Sequence, residues 1–256
     1  MTFKVIIPAR YASTRLPGKS LLDIAGKPMI QHVYERAVQS DAAEVVIATD
    51  DERIAACALE FGASVQMTST SHRSGTDRVA QTVRERAEPK QGVVVNVQGD
   101  EPLIAPALIN QVAALLETQR DACMSTLCEP IVAVDELFDP GVVKVVFDEA
   151  GYALYFSRAP IPWHREEFGK PQKTLPDMPT YYRHVGIYAY RVGYLLNYVN
   201  LPASQAELAE SLEQLRVLSN GGRIAIARGT QSSGPGIDTP EDLENVRTLL
   251  ASGGIG

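Results

Sequence analysis

Arg10, Arg15 and Lys19 set three cations within ten residues, directly after the β-rich apolar run at residues 3–8. Arginine grips oxyanions bidentately and lysine acts as a point charge, so a loop of this kind suits a polyphosphate. Part of the loop, STRLPGKS at residues 13–20, imitates the phosphate-binding pattern GxxxxGK[ST], except that Ser13 stands where the first glycine belongs. The imitation fails on two counts. That pattern opens a long helix whose N-terminus joins the anion site, but Gly26 and Pro28 leave room after Lys19 for barely two turns. Pro17 also removes an N–H from a loop whose backbone should do the cradling. The loop therefore reads as one that holds phosphate by side-chain charge, although any one of these cations alone would read as a solvated surface residue.

Two aspartates could complete such chemistry. Asp100 follows the apolar run GVVVNV (residues 92–97), and Asp238 follows RIAIA (residues 223–227) through the glycine-rich turn GPGID. If those runs are parallel strands of one sheet, both carboxylates reach its C-terminal edge, offering two hard oxygen donors of the kind Mg2+ takes. Plainer readings stay open. Asp100 beside Gly99 is also a turn former, and Asp238, two residues before Pro240 and with Glu241 at capping-box spacing, is also a helix N-cap. SGTDR at residues 74–78 has the pattern of a helix start capped by Ser74.

The elements that would position these residues follow an α/β rhythm. Ile30, Val33, Ala37 and Val38 share one helical face after Pro28; EVVIAT at residues 44–49 reads as a strand, and Asp50 and Asp51 can cap the helix that follows. The alternation continues with a strand at 64–67, a helix at 76–87, a strand at 92–97 and a helix at 106–118. Near-continuous apolar strands between amphipathic helices predict a Rossmann-like α/β fold: a mostly parallel sheet with helices on both faces, binding ligands beyond the C-terminal ends of its strands. After Ser125 the rhythm changes. Strand-like runs at 142–147, 152–156 and 183–190, around a proline-punctuated loop at 160–179, predict a small antiparallel insertion within about residues 128–200. A helical pattern at 203–218, a strand at 223–227 and a helix at 240–250 complete a single domain over residues 1–256.

Composition narrows the classes. With 24 basic against 31 acidic residues, the net charge of −7 disfavours nonspecific attraction to nucleic acid or anionic membrane. Cys57, Cys123 and Cys128 are odd in number and lack CxxC spacing, which argues against a disulfide framework or zinc site and for small buried apolar residues. No apolar run approaches the roughly 18 residues of a membrane span, and residues 1–10 enter strand-like sequence without a cleavable signal pattern, so a cytoplasmic location is expected.

IPARYASTRLPGK at residues 7–19 resembles the fingerprint of the cytidylyltransferases that activate sugar acids, and among them the 3-deoxy-manno-octulosonate (Kdo) cytidylyltransferases. The likeness extends through ATDD (48–51), HRSGTDR (72–78), NVQGDEP (96–102), YFSRAPIPW (155–163), RHVGIYAY (183–190), LEQLR (212–216) and DTPEDL (238–243). The first segment alone is shared with related nucleotidyltransferases; the set is specific. The resemblance implies transfer of CMP from CTP to the anomeric hydroxyl of Kdo, with release of pyrophosphate, for lipopolysaccharide biosynthesis. It implies that Arg10, Arg15 and Lys19 hold the triphosphate. Asp100 and Asp238 are the implied Mg2+ ligands, with Asp100 also counted as catalytic. Arg73 and Ser74 lie beside the cytosine and Gln98 near the bound nucleotide or sugar, while Arg158, His184, Tyr188, Glu213 and Gln214 surround the sugar acid. A homodimer through the antiparallel insertion is implied as well.

Other readings make different demands. Activation of another acidic sugar, such as a sialic acid or an amino-Kdo analogue, would use the same nucleotide machinery. A nicotinamide-dependent oxidoreductase needs GxGxxG after the first strand, and IPARYAS has none. A non-catalytic nucleotide-binding regulator would need the cations but neither aspartate.

Overall fold

The computed structural model describes residues 2–12, 16–72, 74–170 and 174–252. In chain order the strands are β1 (Phe3–Ala9), β2 (Asp23–Ile24), β3 (Lys27–Pro28), β4 (Glu44–Thr49), β5 (Ser64–Met67), β6 (Val93–Asn96), β7 (Met124–Pro130), β8 (Lys144–Phe147), β9 (Ala153–Ser157), β10 (Tyr182–Arg191) and β11 (Ile224–Arg228). The α-helices are α1 (Met29–Val38), α2 (Glu52–Glu60), α3 (Gly75–Glu85), α4 (Pro106–Thr118), α5 (Val134–Phe138), α6 (Val192–Tyr198), α7 (Gln205–Glu210), α8 (Gln214–Ser219) and α9 (Pro240–Ala251).

The main sheet runs β11-β7-β10-β6-β1-β4-β5. β1 pairs in parallel with β4 and β6, β4 with β5, and β7 with β11; β10 pairs antiparallel with both β6 and β7. Six strands therefore share one direction, and β10 runs against them near the middle. β8 joins β10, and β9 pairs with β8, as an antiparallel extension.

Alternation along the strands builds a core on each face. Val5, Ile7 and Val95 pack with Ile30, Val33, Ile54, Leu108 and Val112 of α1, α2 and α4. Ile6, Val46 and Val94 face the other way, onto Val79 and Val83 of α3 and Leu195 of α6. Side chains that alternate across a pleat explain why these strands read as unbroken apolar runs: both faces are covered.

The structure moves some boundaries. The run at 183–190 belongs largely to the main sheet, where its second half fills the gap between β6 and β7. β7 and α6 lack a distinct pattern at the sequence level, because β7 follows α4 closely and α6 abuts β10 without a break. The helix expected over 203–218 is two helices. Ser211 takes a left-handed conformation (φ 53°, ψ 48°) as the C-cap of α7, its N–H bonding to the Glu207 carbonyl, and the chain restarts at α8.

Candidate active site

Parallel strands deliver their C-terminal ends to one edge, and the site is assembled there. β1 ends at Ala9 and leads to Arg10, β6 leads to Gln98 and Asp100, and the connection after β11 leads to Asp238. Because β10 runs in reverse, it is its beginning, His184 to Tyr188, that arrives at this edge.

Lys19 is the hub. Its ammonium donates to Asp100 Oδ2 at 2.7 Å, to the Ile237 carbonyl at 2.6 Å and to Asp238 Oδ1 at 3.1 Å. After Gly18, in left-handed conformation, the chain makes only a three-residue 3-10 turn at Lys19–Leu21 before the β2–β3 hairpin, so no long helix opens at the lysine. A side-chain cation rather than a backbone cradle is what this loop contributes.

Two backbone features hold the aspartates in register. A Cβ on Gly99 would stand 2.9 Å from the Pro8 carbonyl oxygen, so only glycine lets the loop before Asp100 pass this close to β1. The Ile237 N–H donates to the Asp100 carbonyl at 2.9 Å, which sews the loop carrying Asp238 to the one carrying Asp100. That second loop is also pinned by Ser233, whose N–H donates to Glu129 Oε1 at 2.7 Å.

The N-cap reading of Asp238 is corrected by α9. Its N-cap is Thr239, which forms a capping box with Asp242 at the N3 position, and Asp242 also accepts from the Asp238 N–H. Neither Asp238 nor Glu241 makes that box. The Asp238 carboxylate faces Lys19 instead. Ser74 does cap α3, accepting from the Asp77 N–H at 3.1 Å, as Asp51 caps α2 by accepting from Arg53.

Around this hub lies a cleft of about 530 Å³ whose lining includes Arg10, Lys19, Ser74, Gln98, Asp100 and Asp238. A second cavity of about 250 Å³ adjoins it, and Gly75, Gln98, Ser211 and Glu213 line both. Tyr188, Tyr190, Tyr198, His184 and Gln214 complete the smaller one with aromatic and polar surface. The size step and the change from charged to aromatic lining suit a nucleoside triphosphate in the first and a smaller polyhydroxylated ligand in the second.

Burial sets the protonation states of the smaller cavity. Burial lowers the His184 imidazole to a pKa of about 3, so the ring is neutral at pH 7. Glu213, at the junction of the cavities, is raised by burial against the opposing hydrogen bonds of Thr76 and Ser74. Tyr188 is raised well above its ordinary value, again chiefly by burial, and stays a phenol.

Of the expected site residues, Arg15 and Arg73 lie outside the described residues. Arg158 lines neither cavity; its Nε donates to the Glu210 carbonyl and one guanidinium nitrogen to the Pro140 carbonyl. The structure adds Arg78 and Ser211 to the site. Arg78 is buried at the cleft wall, held by Asp50 at 2.8 Å and by Thr68. Its place in HRSGTDR was the available signal; for Ser211, whose backbone break creates its position, the sequence carries none.

Two carboxylates converging on one ammonium form a donor set that also fits a hard divalent cation, with water and ligand oxygens completing the shell. Among the described residues no cluster of three or more His, Cys, Asp and Glu could hold a metal by itself.

Comparison with known proteins supplies the family. Residues 4–224 match the family model described as cytidylyltransferase. A 3-deoxy-manno-octulosonate cytidylyltransferase of Nitrosococcus oceani is 56% identical over 253 residues, covering 98% of both chains. That of Cellvibrio japonicus is 56% identical over 254 residues, covering 99% of this chain and 100% of its own. A solved structure of CMP:2-keto-3-deoxy-manno-octonic acid synthetase complexed with CTP superposes with a TM-score of 0.89 at 44% identity, covering 99% of this chain and 100% of the other. With family match, identity and fold agreeing over nearly its whole length, the chain belongs to the cytidylyltransferase family, among the 3-deoxy-manno-octulosonate cytidylyltransferases.

Proposed function

We propose that this chain transfers CMP from CTP to the anomeric hydroxyl of Kdo, giving CMP-Kdo and pyrophosphate. The observation that carries the reading is the paired site: a cationic, carboxylate-bearing cleft and a smaller aromatic cavity that share Gln98, Ser211 and Glu213. A nucleophile in one and an electrophile in the other would meet at that boundary, where in-line placement replaces a bimolecular encounter. The relatives named above bear this activity in their names.

Both reactants are anions, and the first task is to neutralise charge. Arg10 and Lys19 face the triphosphate from the loop after β1, and Arg15 belongs to the same loop. Asp100 and Asp238 would hold Mg2+, which when bound offsets charge on the transferring phosphorus and acidifies the attacking hydroxyl. Ser74 and Gln98 border the nucleotide side, and Arg73 adjoins Ser74 in the sequence. His184, Tyr188, Glu213 and Gln214 orient the sugar acid. The neutral His184 serves as a hydrogen-bonding group and not as the base. Arg158 meets Kdo only if its tether to Glu210 is released.

This activity serves lipopolysaccharide assembly in the cytoplasm, and the three cysteines are unpaired thiols, as a reducing compartment requires. No helix among the described residues is long and apolar enough to cross a membrane. The protein acts as a homodimer through the antiparallel extension, where among the described residues β9 pairs only with β8 and exposes Leu154 and Tyr155.

Pyrophosphate release measured with a panel of nucleotides against a panel of sugar acids tests the reading. CTP with Kdo is expected to exceed every other pair by about a hundredfold or more in kcat/KM. A sialic acid or an amino-Kdo analogue outpacing Kdo would reassign the acceptor, and no turnover with any pair would remove the enzyme.

A further inference from the structure

Thr126 lies on β7 beneath the smaller cavity, fully buried, and its hydroxyl meets three partners. Oγ1 is 3.1 Å from the Val185 carbonyl oxygen, 2.8 Å from the Ile187 carbonyl oxygen and 2.9 Å from His184 Nε2. The two carbonyls flank a register shift in β10, where Val185 opposes Leu127 but Tyr188 opposes Thr126. Thr126 thus ties off the bulge that turns the beginning of β10 toward the site.

A hydroxyl has one hydrogen, and carbonyl oxygens only accept. The Thr126 hydrogen is committed to the bulge, so toward His184 its oxygen is left to accept. Nε2 must then carry the ring proton. A neutral imidazole with Nε2–H has a bare Nδ1, and no described residue hydrogen-bonds that nitrogen. The ring lines the cavity, held by the edge of Phe156 at 5.0 Å and by Tyr188 at 5.3 Å between centroids. Its low pKa agrees with a ring that stays neutral through the working range.

We propose that Thr126 is a positioning residue that fixes His184 as the Nε2–H tautomer and so offers Nδ1 as an acceptor to a hydroxyl of the sugar acid. The tautomer follows from the protein alone, whereas the ligand's part rests on the reading of the smaller cavity given above. The other tautomer would draw the Thr126 hydrogen to Nε2 and away from the two bulge carbonyls, and would present Nδ1–H to a ligand hydroxyl that must then accept rather than donate.

Long-range proton–nitrogen correlations on the full chain labelled with 15N-histidine read the tautomer directly. Four histidines are present, and His184→Gln assigns the signal by its loss. The Nε2–H form is expected for His184 in the wild type. Thr126→Val, which keeps the shape and removes the hydroxyl, should give the Nδ1–H form or a mixture. It should also raise KM for Kdo about tenfold while KM for CTP stays within about twofold; Thr126→Ser should restore both. An Nδ1–H signal in the wild type overturns the proposal, and that spectrum suffices if Thr126→Val fails to fold. An Nε2–H signal unmoved in a folded Thr126→Val overturns it equally, whatever the cavity binds. A tautomer that moves while KM for Kdo does not would uphold the coupling and instead remove the sugar from this cavity.

Discussion

The carboxylate of Asp238 faces Lys19, while the hydroxyl of Thr239, one residue on, accepts the Asp242 N–H in the first turn of α9. Their tasks should therefore separate. Asp238→Asn is expected to lower kcat/KM about a hundredfold with the melting temperature unchanged, whereas Thr239→Ala should cost about 1 kcal/mol of stability and change kcat/KM only a few-fold. Pyrophosphate release and thermal melting check the pair, and exchanged effects would return Asp238 to the role of cap. Lys19→Ala should cost at least tenfold in kcat/KM by the same assay, since it removes the cation on which both aspartates converge. His184 gives a prediction in pH. Its folded pKa of about 3 lies below the unfolded value near 6.5, so its contribution to stability is fully present above pH 6.5 and is lost as pH falls toward 3. Between pH 7 and pH 4 the stability advantage of wild type over His184→Gln should shrink by up to about 3 kcal/mol in chemical denaturation. A constant difference would show that the imidazole is not buried neutral.

At the scale of elements, the loops between strand and helix decide the geometry, and Gly99 is the most exacting point in them. Gly99→Ala places a carbon 2.9 Å from the Pro8 carbonyl, which neither backbone can yield cheaply. The loop to Asp100 must move, and a cost of about 1–3 kcal/mol with a parallel fall in kcat is expected, readable by melting and by pyrophosphate release. Wild-type stability with lowered kcat would place the strain in the site alone. The same scale shows what the sequence made legible. The strands at 44–49 and 64–67 and the helix at 106–118 are found at those bounds, because apolar patterning and a proline at the first helical position are local signals. Asp100 and Asp238 could be brought together on paper because both follow apolar runs, and parallel pairing does the rest. Three features resisted. The reversed β10 owes its central place to pairing with two distant strands, and Ser211 breaks a helix with a backbone angle that no residue type announces. The cap of α9 lay one residue beyond the one the spacing suggested, since threonine and aspartate can each fill it.

For the whole molecule, the homodimer proposed above turns on the antiparallel extension. Among the described residues β9 pairs only with β8, and strands with an open edge recruit partners unless charge or cover prevents it. Leu154 on β9 is 61% exposed, and in the segment between β9 and β10 Trp163 is 59% and Met178 71% exposed. Trp163 and Phe138 both meet Phe168 edge-on, and Tyr181 lies against the same ring, so Trp163 is seated on a small aromatic cluster. In the proposed homodimer a second copy of the chain would cover this edge, since a two-fold contact lets one such edge satisfy another. Light scattering at working concentration should return twice the 27.8 kDa of one chain. Leu154→Glu, which puts a charge on the exposed edge without touching either cavity, should shift it toward one chain and leave the isolated fold intact by circular dichroism. If the dimer also steadies Arg158, which directly follows β9, KM for Kdo should rise in that variant while KM for CTP holds. A monomer in the wild type would assign this surface to some other contact and leave the two cavities as they stand.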